Sequence, residues 1–187
     1  MNLLLLLEIV SVVFNIVFLI LLIKEKKQCW IYGIIGSLLG AYVFYEKMYF
    51  SESILYLFYV FLGIYGFYYW DKKNGQKFVI KRSSTFHVFV YILIGLSAGL
   101  GLGYAMSYTN ADKPYYDAMS TAFGVLASFL ELYKYFVAWS LWIVINAYSV
   151  WLYGEKELNF FAIQMVLYTA TSIYGLVNWH KKLAVQK

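Results

Sequence analysis

Seven long apolar stretches divide the chain, and short polar segments between them hold most of its charge. The stretches are Leu3–Ile23, Cys29–Tyr45, Ser53–Trp70, Thr85–Tyr108, Ala118–Tyr135, Val137–Tyr153 and Asn159–Trp179. Each is close to the roughly 20 residues that carry a helix across a bilayer core. The pattern predicts an all-α integral membrane protein with seven transmembrane helices. Several stretches are short for a perpendicular crossing, and tilt or local thinning makes up the difference. The fifth and sixth are almost continuous, with a break placed at Lys134–Tyr135. The first run is read as a span and not as a cleaved leader. No basic segment precedes it, it is too long, and no small-residue cleavage pattern follows.

Composition agrees with this reading. Of 187 residues, 63% are hydrophobic and 22% aromatic, and only 13% are charged, against about a quarter in soluble domains. The single cysteine, Cys29, excludes an intramolecular disulfide and a multi-cysteine metal site. A net charge of +5 could point to nucleic acid, but the basic residues flank the spans, where they act as a topology signal. Lys24, Lys26, Lys27, the loop "DKKNGQKFVIKRSS", Lys134, Lys181, Lys182 and Lys187 fall on one side, which makes 12 of the 15 basic residues. Lys47, Lys113 and Lys156 fall on the other. The positive-inside rule then predicts a cytoplasmic C-terminus and an outward N-terminus.

Shifting the chain by 109 positions aligns residues 29–70 with 138–179 without a gap. Trp30 falls on Trp139, Glu46-Lys47 on Glu155-Lys156, Tyr59 on Tyr168, Ile64-Tyr65-Gly66 on Ile173-Tyr174-Gly175, and Trp70 on Trp179. The same shift puts Glu8 on Asp117. The charged pair, the "IYG" and the tryptophans keep register throughout, which apolar low complexity does not explain. A single polytopic domain is therefore expected, with a repeat over about 3–70, a connector helix over about 85–108 and a second repeat over about 117–179. Four crossings separate the first and fifth spans, so the triplets share one orientation. That is a 3+1+3 parallel repeat, the arrangement of SWEET proteins, with a substrate site expected at the repeat interface near the midplane.

The fourth span carries Gly95, Gly99 and Gly103 at every fourth position, a stripe that lets another helix approach closely and that would also suit a homo-oligomer. It contains "GLSAG" around Ser97, which formally matches a nucleophile elbow. That device needs a strand-to-helix turn and a nearby histidine, and His87 and His180 lie near span ends. An enzyme is not expected, and neither a cofactor nor a metal is called for.

The polar residues at membrane depth carry the chemistry. In "AWSLWIVINAYS", Trp139, Trp142 and Asn146 stand at spacings of three and four, which places them on one helix face. Two indoles and a carboxamide suit a flat ring held by stacking, with a donor and an acceptor for an amide or a sugar hydroxyl. Gln164 on the seventh span is a second carboxamide at depth, costly unless it pairs or lines a cavity. Trp139 could equally be an interfacial anchor, and Asn146 a structural hydrogen bond between helices. The repeat mates of Asn146 and Trp142 are Ser37 and Gly33, so the polar equipment is concentrated in the second half. Tyr56, Tyr59 and Tyr168 are weaker candidates among 20 tyrosines. Glu52, Asp117, Glu131 and Lys134 lie near span ends, where snorkelling, capping or pairing is the simpler reading. No buried acidic row suggests ion coupling, so uniport is expected.

These residues resemble the bacterial nicotinamide riboside transporters, the PnuC family of vitamin transporters. The resemblance covers nearly the whole chain. It is most specific at "W-x-x-W-x-x-x-N" (Trp139, Trp142, Asn146), with Lys134 upstream, Asp117 and Thr121 opening the second triplet, and the "IYG" followed by tryptophan at Ile64–Trp70. It implies the 3+1+3 fold in a bacterial inner membrane and facilitated diffusion of nicotinamide riboside, an NAD precursor, trapped by a cytoplasmic kinase. It also implies that Trp139 and Trp142 stack on the vitamin and that Asn146 bonds it. One departure stands out: family members that carry nicotinamide riboside often have glutamine where this chain has Tyr56. Related branches are thought to carry thiamine or other nucleoside-like vitamins, so thiamine is the alternative cargo. A non-transporting membrane assembly protein is the remoter alternative.

Overall fold

The computed structural model describes residues 3–46, 50–72, 79–108, 113–155 and 159–185. Lys47, Lys73, Lys77, Lys156 and Lys187, used above for topology, lie outside the described residues. The described chain forms helices α1 (Leu3–Ile23), α2 (Cys29–Glu46), α3 (Phe50–Lys72), α4 (Thr85–Met106), α5 (Pro114–Leu132), α6 (Val137–Glu155) and α7 (Asn159–Val185). Among the described residues, four segments are long and apolar enough to cross a membrane: Leu3–Ile23, Cys29–Glu46, Ser53–Trp70 and Thr85–Met106. In α6 the apolar segment Val137–Leu152 is shorter. The later helices carry more polar side chains, among them Asp117, Glu131, Asn146, Gln164 and Ser172.

The helices pack as two compact units, divided between Phe78 and Val79. In the first, α2 packs against both α1 and α3. α1 has a polar stripe. Glu8, Ser11 and Asn15 are buried while Leu3, Leu5, Leu6, Ile9, Val13 and Ile20 are exposed. Polar groups inside and apolar ones outside is the pattern of a helix whose outer solvent is lipid. The Ser11 hydroxyl donates to the Gly36 carbonyl at 2.8 Å, a short bond made possible where the two helices approach closely at glycine.

In the second unit α4 packs on α5, α5 on α6, and α6 on α7. The glycine stripe of α4 seats α5. A methyl group added at Gly95 would stand 2.4 Å from Phe123, one at Gly99 2.5 Å from Met119, and one at Gly103 2.5 Å from Tyr115. The stripe is thus covered from within the chain and is not a free face for another copy. Ser97 lies exposed within helical α4, without the turn that a nucleophile elbow needs.

The predicted break between the fifth and sixth spans falls where the sequence placed it. Lys134 takes a left-handed backbone with φ 58°, which ends α5 two residues earlier at Leu132. The segment before α4 clasps this break: the Lys81 N–H donates to the Lys134 carbonyl at 2.9 Å, and the Phe136 N–H to the Lys81 carbonyl at 2.9 Å. The predicted boundaries move elsewhere. α5 begins at Pro114 rather than Ala118, because proline is pre-set for the first helical position. α7 runs on to Val185 past Trp179, since lysine is a good helix former.

Local geometry recurs at the 109-residue shift. Glu25 has φ 57° and Lys134 φ 58°. Around Glu25, N–H groups donate Glu25 to Leu22, Lys26 to Leu21, Cys29 to Lys26 and Trp30 to Lys27; around Lys134 they donate Lys134 to Glu131, Tyr135 to Leu130, Ala138 to Tyr135 and Trp139 to Phe136. Each bond in the first set has its mate in the second. The tryptophans follow: Trp30 meets Trp70 at 5.4 Å and 90°, and Trp139 meets Trp179 at 5.4 Å and 83°. Gly66 and Gly175 make room for those indoles, since a methyl group at either would stand 2.6 Å from the ring.

Candidate functional site

The polar residues of the second unit meet along the α6–α7 seam. On α7, Gln164, Tyr168, Ser172, Gly175 and Trp179 recur at spacings of three and four, a single face at helical period. On α6, Trp139 and Asn146 meet this face, and Trp142 shares their side of the helix by its spacing. Asn146, only 4% exposed, donates its Nδ2–H to the Ser172 hydroxyl at 3.3 Å. Gln164 is buried and donates its Nε2–H to the Tyr168 hydroxyl at 2.9 Å. The two carboxamides therefore have partners, as groups at membrane depth require, but each keeps its carbonyl oxygen as an acceptor beyond these bonds.

The two tryptophans expected to act as a pair are placed differently. Trp139 is 0% exposed, with its ring against Gly175 and edge-on to Trp179, and Trp30 holds the same position in the first unit. Trp142 is half-buried. The indole N–H groups of both are buried without a hydrogen-bond partner, which is costly and uncommon in native structures.

Two contributors were not singled out from sequence. Ser172 completes the Asn146 bond, and its repeat mate is Gly63, which packs against Ile34. Glu131 was read as a span-end residue that snorkels or pairs. It is instead 5% exposed, in the last turn of α5, beside the Trp142 indole N–H though short of hydrogen-bond geometry. Extending the repeat alignment upstream of residue 29 exposes the signal, because it sets Glu131 on Leu22.

Tyr56 and Tyr59 belong to the first unit. Tyr56 packs on Phe44 at 5.0 Å and on Tyr59 at 6.0 Å, over Gly40. Lys113 pairs with Glu155 at 3.0 Å and lies over the Trp151 ring at 5.6 Å, which ties the start of α5 to the end of α6. Among the described residues no cluster of three metal-ligating side chains occurs.

A multi-pass membrane protein with a buried aromatic and carboxamide seam is thereby defined. The chain belongs to the nicotinamide mononucleotide transporter family, which it matches over residues 5–181. It is accordingly a transporter and not an enzyme. It is 26% identical to the nicotinamide riboside transporter PnuC of Neisseria mucosa, with 92% of this chain and 71% of that protein covered. It is 24% identical to the protein of the same name from Haemophilus influenzae, covering 94% and 79%. The Escherichia coli protein of that name is 20% identical, covering 83% and 77%. The fold is similar to the crystal structure of the vitamin B3 transporter PnuC, with a TM-score of 0.81 at 23% identity, over 97% of this chain and 83% of that one.

Proposed function

We propose that the chain takes up nicotinamide riboside across the bacterial cytoplasmic membrane by facilitated diffusion. The observation that carries this is the α6–α7 seam. Trp142 is half-buried and stands one turn from the Asn146–Ser172 pair. A planar pyridine ring stacks on such an indole, and its carboxamide or ribose hydroxyls match the amide and hydroxyl groups beside it. Trp142 and Asn146 contact the vitamin, Gln164 and Tyr168 extend the polar face, and Trp139 backs the site by locking α6 to α7. Tyr56 and Tyr59 are assigned packing in the first unit. The named cargo of the relatives, nicotinamide riboside, agrees with this chemistry.

The finer architecture belongs to the same reading: seven crossings, two three-helix repeats in parallel orientation joined by α4, and a cytoplasmic C-terminus. The bond-for-bond recurrence around Glu25 and Lys134 supports the repeat, and the lysine distribution supports the orientation. A cytoplasmic kinase that phosphorylates the nucleoside would keep its gradient inward.

Uptake into proteoliposomes tests this. With the membrane potential held at zero, labelled nicotinamide riboside, a cation, should enter until the inside and outside concentrations are equal, whatever proton or sodium gradient is imposed. Accumulation beyond equality at zero potential would contradict facilitated diffusion. Uptake of thiamine alone would keep the transport class and change the cargo.

A further inference from the structure

The polar stripe of α1 ends in a carboxamide without a partner. Asn15 lies near the middle of α1 and is 8% exposed. Its side chain is seated on α2: a methyl group at Gly36 would stand 2.5 Å from the carboxamide oxygen and 2.8 Å from the carboxamide carbon. Ser11, one turn earlier on the stripe, bonds the Gly36 carbonyl. Asn15 has no hydrogen-bond partner among the described residues, whereas Asn146 and Gln164 each have one. A buried carboxamide in an apolar surround is costly when left so, and most of all at membrane depth. Packing does not account for it. The 109-residue shift sets Asn15 on Gly124 and Gly36 on Ile145, both buried. The two places hold Asn and Gly in the first unit and Gly and Ile in the second, so an apolar filling is compatible with this fold. The register says where the carboxamide lies. Gly36 adjoins Ser37, the repeat mate of Asn146, and the mate of Ser172 is Gly63. The first unit thus lacks the Asn146–Ser172 pair, but α1 brings a carboxamide to the same level of the repeat.

We propose that Asn15 is a further ligand-binding residue of the transporter, which hydrogen-bonds one amide or hydroxyl group of the nucleoside-like molecule it carries. The inference rests on the reading of the chain as a nicotinamide riboside transporter. A carboxamide offers both a donor and an acceptor, so it can meet either kind of group. Without an internal partner, it has no protein bond to give up when the ligand arrives. Gly36 supplies the room that holds it in place.

The test pairs thermal melts with calorimetric titration of the purified full chain, Asn15→Ala and Asn15→Leu, the second close to asparagine in size. Removing a buried polar group that has no partner loses no hydrogen bond, so Asn15→Leu should melt at or above the wild-type temperature. Nicotinamide riboside should bind both variants about threefold to tenfold more weakly, the loss of one neutral hydrogen bond. Three analogues then locate the bond: the pyridinium riboside without the carboxamide, and the 2′-deoxy and 3′-deoxy forms of nicotinamide riboside. One of them should bind the wild-type chain and Asn15→Leu equally, because the group that Asn15 meets is already gone, and the others should show the full loss. The same weakening for all four ligands, or a lowered melting temperature with unchanged affinity, would make Asn15 a packing residue and overturn the inference. Failure of both variants to fold would overturn it as well, since the fold would then need the carboxamide. Unchanged affinity for nicotinamide riboside in both variants, with Trp142→Ala still losing it, would overturn the inference and leave the proposed function standing. No saturable binding by the wild-type chain would refute both.

Discussion

On the proposed function Asn146 serves two purposes that a single substitution can separate. Its bond to Ser172 joins α6 to α7, and polar bonds between helices in membranes contribute on the order of 0.6 kcal/mol and rarely above about 1.7. Asn146→Ala should therefore lower the melting temperature only modestly, while weakening nicotinamide riboside at least about tenfold if its carbonyl oxygen also meets the vitamin. A melting curve and a titration on the same variant check both halves. Ser172→Ala should match the first effect, with a smaller loss of binding. Legibility was uneven at this scale. The spacing of Trp142 and Asn146 revealed a shared face, because the 3.6-residue period is fixed by backbone geometry. The enclosure of Trp139 was not visible, since it depends on Gly175 and Trp179 from another helix. Glu131 was misread because nearness to a span end in sequence does not report burial.

Helices here are held by what their small residues admit. Gly99 and Gly101 lie two apart on α4 and face opposite conditions: a methyl group at Gly99 would stand 2.5 Å from Met119, whereas one at Gly101 would meet nothing within 4 Å. Gly99→Leu should thus destabilise by about 1–3 kcal/mol through overpacking. Gly101→Ala should be neutral or stabilising by up to about 1 kcal/mol, the helix-propensity gain. Thermal melts of the two variants, read side by side, test whether the stripe is an internal seam. A second element-level prediction concerns the left-handed break. Glu25→Gly relieves a conformation that costs a side-chain-bearing residue about 1–2 kcal/mol and should raise stability by part of that, measured in the same melts. The glycine period and the break at Lys134 were legible because both are local. The starts and ends of α5 and α7 were not, because hydropathy marks where lipid contact stops, whereas helices continue into polar sequence until a proline or a left-handed residue intervenes.

For the whole molecule, the shift of 109 residues was the most informative feature of the sequence, and the turn bonds and tryptophan pairs follow it. The polar stripe of α1 passed unnoticed because Glu8, Ser11 and Asn15 are single residues in a long apolar run, and only packing shows that they share a buried face. Orientation is testable with cysteines. In a Cys29→Ala background, Lys182→Cys should react with a membrane-impermeant maleimide only after the cells are opened, and Lys113→Cys should react in intact cells. The reverse pattern would invert the topology. The central claim is that the α6–α7 seam binds a vitamin through the ring of Trp142. It is tested most directly by calorimetric titration of nicotinamide riboside into the purified wild-type chain and into Trp142→Ala. The account predicts saturable binding to the wild-type protein and at least about tenfold weaker binding to a variant that remains folded. Equal affinity in the two proteins, or no saturable binding to the wild type, would contradict it.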